Sequence, residues 1–545
     1  MTHLLLALAA LTGAAANDHP PADNAKPATL VRGLGDVHHP VSTRNKEAQQ
    51  FFDQGLAFLY AFNHDEAARS FRRAAELDPE LAMAYWGIAL SVGPNYNDEG
   101  NAERRKAAHE AIQKAVKLCK NLPNQEQLYI YALASRYSDD PRADPKKLGV
   151  AYAAAMKAVS RRYPDDLDAA TLYAESLMNL RPWQLYDRKG EPAEGTPEIV
   201  AVLESVLRRN PHHTGANHYY IHAVEASRTP ERALPSAARL GKLAPASGHL
   251  VHMPSHIYIR VGDYEKAARA NEEAIRVDRD YLYLKGAAAK GIYPMMYYSH
   301  NIHFLAVSRT MQGRRQQAQE AADALADHVR PHVRAMPMLE GFLVTPTLVQ
   351  ARFRRWDDLV KSPAPERELV LTTAVWHFGR GLAHASNGRP EEALKERQAF
   401  AAARGRLPAD AKIGMLNMAK DVLDIAEDTL DARIALAKGD RKLAIKLLTR
   451  AAERVDGLNY TEPPDWYLPV RETLGAVLIA DGDPAAAEKV FREDLERNPR
   501  HGRSLFGLME SLKRQKKDYD ARMVEQQFRA AWKDAEPKEL RLGDL

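Results

Sequence analysis

The chain has 545 residues, 76 Lys and Arg against 72 Asp and Glu, a net charge of +4 and 45% hydrophobic residues, a composition ordinary for a soluble folded protein. Its charges are interspersed, with no long basic run, so a solvated surface explains them and nucleic acid is not the expected partner. A single cysteine, Cys119, allows no internal disulfide, so stability must come from packing. At the N-terminus the apolar run Leu4–Leu11 followed by Ala14–Ala16 outlines a secretory signal peptide over residues 1–16, although no Lys or Arg precedes the run. That run is too short to span a membrane. No other segment offers 18 uncharged apolar residues, so no membrane span is expected. The expected location after cleavage is the periplasm or the exterior. Residues 17–45, rich in Pro, Asp, Asn and His, read as a flexible lead-in.

Helical periodicity begins at residue 46. In EAQQFFDQGLAFLYAFNHDEAARSFRRAAELDP, residues 47–79, apolar side chains recur at helical spacing through Phe51, Phe58 and Phe71. Gly55 sits where two helices must approach closely, Ala67 and Ala74 are small residues on the second helix, and Pro79 follows where that helix must stop. This pattern resembles the tetratricopeptide repeat, with Gly55, Phe58, Ala67, Phe71, Ala74 and Pro79 agreeing in one register. Ala233 and Ala267, 34 residues apart, take the place of Ala67 in later copies, as does Ala487, followed by Phe491 and Pro499. Weaker copies place Ala318, Leu359, Ala393 and Ala444 there, and half-repeats end at Pro164 and Pro211.

The resemblance covers most of residues 46–535, in about nine to eleven helix pairs. It implies an all-α fold, an α-solenoid of stacked helix-turn-helix repeats in a right-handed superhelix. The expected divisions are an N-terminal and central array over 46–310, a C-terminal array over 311–535 and a tail over 536–545. Two insertions break the register, residues 181–195 and DRDYLYLKGAAAKGIYPMM, and insertions in such arrays tend to lie on one face, often the binding face.

Nine of the 20 histidines fall between His212 and His303. His218 and His222, and His252 and His256, are spaced by four, and His300 and His303 by three. On a helix such spacings put both rings on one face, where they can share a metal ion. The resemblance implies that His218, His222 and Glu225, then His249, His252 and His256, then His300 and His303, line the groove from three successive first helices. Glu225 is the candidate base or bridging ligand, and Glu175 a further carboxylate. Pro254 qualifies this expectation: a helix beginning at Met253 or Pro254 leaves His249 and His252 on its lead-in. Tyr219, Tyr220, Tyr258, Tyr293, Tyr297 and Tyr298 read mostly as core, and Arg181 with Trp183 as a groove wall or a loop. His212 and His213 read as solvent-facing, and His377 and His384 as helix packing.

The expected cofactor is a transition metal, Zn, Cu or Fe. Two clusters of three histidines would resemble coupled copper sites, whereas histidines with carboxylates would suit zinc or iron. A metal-dependent hydrolase or oxidoreductase follows if a coordination position stays open. The competing reading is a scaffold that grips a peptide or protein in the groove without metal or catalysis, as proteins of similar sequence commonly do.

Overall fold

The computed structural model describes residues 28–140, 142–285 and 291–545. The signal peptide expected over 1–16 lies outside the described residues, as do residues 17–27 of the lead-in and 286–290 of the second insertion.

The chain is an α-solenoid. Helices Lys46–Tyr60 and His64–Leu77 form the first antiparallel pair, and helix Ala82–Val92 opens the next. Each helix packs on its chain neighbours, and the first helices of successive pairs also touch, which layers the pairs into one array. Local chemistry sets the boundaries. Asn45 and Asn63 accept backbone N–H groups as N-caps, and the helix ending at Leu77 stops at Asp78, directly before Pro79.

Phe71 is fully buried between Gly55 and Gly87, where a methyl on Gly55 would stand 2.7 Å from the Phe71 ring. Phe491 lies between Gly475 and Gly507 in the same way near the C-terminus. A bulky ring wedged between glycines of consecutive first helices is therefore a recurring contact of the array. A two-residue antiparallel pairing, Lys412–Ile413 with Asn417–Met418, is the only strand pair among the described residues, and none of their helices is long and apolar enough to cross a membrane.

The array winds tightly enough for distant repeats to meet. Tyr60 packs against Gly215, Tyr264 donates to the Pro499 carbonyl at 3.1 Å, and Gly313 lies against Trp532. The first and last described segments are both held against the array. Residues 28–45, expected to be a flexible lead-in, are pinned: the Gly33 carbonyl accepts from the Ala246 N–H at 2.9 Å, Gln54 accepts from the Val31 N–H at 2.7 Å, and Leu34 is buried. The expected tail, 536–545, is anchored where Glu536 N–H meets the Gly313 carbonyl at 2.8 Å and where Leu545 is buried.

Candidate metal centre

Three stretches of helix carry the histidines. Helix Thr214–Val224 presents His218 and His222, with Glu225 as the next residue in helical geometry. Gly248–His252 and Pro254–Arg260 are two short helices separated by Met253, whose φ of −51° and ψ of −35° are themselves helical. Pro254 thus interrupts the hydrogen bonding without turning the backbone out of the helical range, and His249 and His252 stand on a helix rather than a lead-in. His300 and His303 lie on Tyr298–Met311, entered through a π-helical turn, Tyr293–Tyr297.

Six of the seven rings form a contiguous cluster. His218 stands 5.0 Å from both His222 and His249, ring centre to ring centre, and His252 stands 4.8 Å from both His256 and His300. The two sets adjoin through His222 and His256 at 5.4 Å and through His249 and His252 at 5.8 Å. Within each triad the possible ligand atoms all lie within 4.8 Å of one another. Phe62 packs against all three rings of the first set and Phe304 against all three of the second. His218, His222, His249, His252 and His256 are no more than 3% exposed, and His300 is half-buried. His303 stands apart: its ring faces Phe342 and Tyr467, and none of the metal-capable groups found among the described residues includes it.

The partners of the outer ring nitrogens fix the tautomers. The Nδ1 of His218 lies 2.6 Å from the Tyr60 carbonyl, which can only accept. His222 Nδ1 and His256 Nδ1 meet the two oxygens of Glu225 at 2.8 and 2.5 Å. His252 Nδ1 meets Asn271 Oδ1 at 2.6 Å, and Asn271 is oriented by its own amide bond to the Ala267 carbonyl. All four Nδ1 atoms therefore carry the proton, and all four Nε2 atoms present lone pairs inward. Those of His218 and His222 are buried with no hydrogen-bond partner, as are both nitrogens of His249. Those of His252 and His256 face each other at 2.9 Å.

Protonation does not relieve that contact. Burial, reinforced by neighbouring imidazoles, holds His218, His249, His252 and His300 well below the ordinary histidine range. Burial also lowers His256 against the opposing pull of Glu225. Glu225 itself is pushed up by burial but held down overall by His256 and His222, so it is ionised.

Glu225 spans the two sets from behind, one oxygen to each. Glu462 escaped sequence reasoning. It arrives from the distant segment 459–469, lies 3.4 Å from His256 Nδ1 and is bonded by the Tyr460 hydroxyl; burial and then Glu225 push it well above the carboxylate range. Glu175, expected as a further carboxylate, is buried elsewhere, bonded by Asn179. Trp183 does form a wall of the cluster, against His222 at 5.8 Å, whereas Arg181 is exposed. His213, expected to face solvent, is 9% exposed because it caps Thr214–Val224 and donates to Asp168; His212 is exposed.

Two other groups have metal-like spacing but are already satisfied. Asp168 takes His39, His213 and the Tyr60 hydroxyl, and Asp166 takes Gln125, Tyr129 and the Ala169 N–H. Glu472 is filled by Arg352 and Arg503, and Asp494 by Ser504 and His501. Of these metal-capable groups among the described residues, only the histidine cluster leaves ring nitrogens of its own members buried without partners, and a native fold leaves few such atoms unexplained.

No protein-family model matches the chain, and no curated protein matches it. Among solved structures it is similar to the human IFIT1 dimer with m7Gppp-AAAA, at 13% identity, 90% coverage of this chain, 91% of that chain and a TM-score of 0.33. It is similar to yeast Tom70, at 13% identity, 90% and 98% coverage and a TM-score of 0.34. It is also similar to the APC/C hetero-tetramer Cut9–Hcn1, at 12% identity, 87% and 78% coverage and a TM-score of 0.30. Likeness at this level says nothing of the histidine site.

Proposed function

We propose that the chain is an exported metalloprotein holding two copper ions, one on His218, His222 and His249, the other on His252, His256 and His300. One observation carries the reading: the inward lone pairs of His252 and His256, both rings neutral, face each other 2.9 Å apart in a buried site. Two lone pairs at that distance repel unless a cation lies between them. Metal-bound histidines commonly donate their other N–H to a carboxylate or carbonyl, and Glu225, Tyr60 and Asn271 supply such acceptors here.

Imidazole suits Zn, Cu, Fe and Ni. Copper is favoured because the sets are all-imidazole and come as an adjoining pair, with Glu225 engaged on Nδ1 atoms rather than aimed inward as ligand or base. Three protein nitrogens per ion leave positions for a small ligand, so the reading extends to an oxidoreductase acting on dioxygen or another small oxidant. A groove-bound peptide would not reach five of the six rings, which are at most 3% exposed; His300 alone is half-buried. His303, whose ring faces Phe342 and Tyr467, belongs to neither set. The apolar run Leu4–Leu11 supports delivery to the periplasm.

The test is elemental analysis of the full chain after reconstitution with Cu, Zn or Fe. About two copper ions per chain are expected, with at least one lost in His252→Ala plus His256→Ala. Zinc or iron held in place of copper would overturn the metal assignment; a chain that holds none of the three would sink the site.

A further inference from the structure

Among the aromatic rings that touch the six clustered histidines, Trp183 alone is partly exposed; Phe62, Tyr96, Tyr219, Tyr297 and Phe304 are buried. Trp183 belongs to the insertion over 181–195. Its φ of 61° lies in the left-handed region, a conformation a bulky residue adopts only where its surroundings hold it. The surroundings are visible. The indole N–H donates to Asn97 Oδ1 at 3.1 Å, and Asn97 donates to the Tyr297 hydroxyl at 2.8 Å. Tyr297 in turn sets its ring 4.8 Å from His249. Asn97 thus clamps two rings that each touch the first triad. Tyr96 stacks on Trp183 at 5.5 Å with an interplanar angle of 28° and lies 5.5 Å from His222, while the indole itself meets His222 nearly edge-on. A strained backbone has been held so that a large π-system runs from the surface to a buried imidazole.

We propose that Trp183, stacked on Tyr96, is the path by which electrons from a one-electron donor in solution reach the ion on His218, His222 and His249. The proposal rests on the copper reading. The donor loses one electron, copper(II) becomes copper(I), and no bond to either ring forms or breaks. The rings serve as the conducting bridge because indole and phenol carry the highest-lying filled π orbitals among the side chains. A donor too large to enter the cluster then needs to touch only the surface.

The test is stopped-flow reduction of the copper-loaded full chain by a hexaammineruthenium(II) salt, followed by loss of the copper(II) spin signal. Trp183→Leu should slow the first phase about tenfold or more, with copper content and the spectrum of the oxidised site unchanged. Should Trp183→Leu release copper, Trp183→Phe, which keeps a ring against His222, decides the matter by the same rate. An unchanged rate overturns the path while leaving the copper site standing. A faster rate overturns it too, because the indole is then a shield. A wild-type chain without copper removes both readings together.

Discussion

The inward direction of the Nε2 lone pairs of His222 and His256 depends on one carboxylate. Glu225 accepts from His222 and His256 at once, and a carboxylate can do so because both oxygens are acceptors. Glu225→Gln keeps the shape but offers one acceptor and one donor, so one imidazole must move its proton to Nε2 and turn an N–H toward the ion. Copper affinity, measured by competition with a chelator, should fall about 10–100-fold with the helical circular dichroism intact. Wild-type affinity in that variant would remove Glu225 from the site. Acid should act on the metal-free chain as well. His218, His249, His252 and His300 titrate lower folded than at the ordinary value of about 6.5, so below that pH the unfolded chain binds more protons. Stability is then fully present above about pH 6.5 and is lost as pH falls toward the depressed values, by up to about 1.4 kcal/mol per unit for each group. The melting temperature should therefore drop steadily from pH 7 to pH 5, and a flat profile would contradict the neutral buried rings. The convergence of these rings was legible in the sequence because helical spacing and repeat register assign faces. Their acceptors were not. Tyr60 lies 158 residues from His218, and no local pattern announces a backbone carbonyl as a histidine's partner.

Between elements, the decisive contact is a ring against glycine. An alanine in place of Gly55 would gain up to about 1 kcal/mol of helix propensity. Its methyl, however, would stand 2.7 Å from a fully buried Phe71 whose far side is closed by Gly87, and overpacking of that kind costs about 1–3 kcal/mol. The steric term wins, so Gly55→Ala should unfold at lower denaturant, and Phe71→Ala should lose about 3–5 kcal/mol through the cavity it leaves. A Gly55→Ala chain as stable as wild type would show that the ring has room to shift. The Gly55 and Phe71 spacing is visible in one repeat, which is why the fold was readable. Residues 28–45 misled for the opposite reason. Their Pro, Asp, Asn and His content signals solvation, yet Asp53, Gln54 and Ala246 supply partners that only the folded array brings near.

Across the whole molecule, the winding lets the C-terminal array complete a site built by the central one. Segment 459–469 sets Glu462 beside His256 and Tyr467 beside His303, more than 150 residues from either. Just beyond that segment Glu472, 1% exposed, is held by Arg352 and Arg503, and His501 completes the knot through Arg352. Breaking one partner of a buried ion pair typically costs about 3–5 kcal/mol, because the charges left behind stay out of water unpaired. In a repeat array that loss need not spread evenly, since stability is a sum of nearest-neighbour terms. Glu472→Ala should therefore loosen the C-terminal layers first and leave the Phe71 region intact. Hydrogen exchange should rise over 459–469 while residues 46–92 keep their protection, and copper should escape faster because one wall of the cluster has slackened. Uniformly faster exchange would mean that the solenoid unfolds as a single unit. Unchanged copper release alongside faster local exchange would mean that the central helices alone retain the metal, with Glu462 and Tyr467 no more than neighbours.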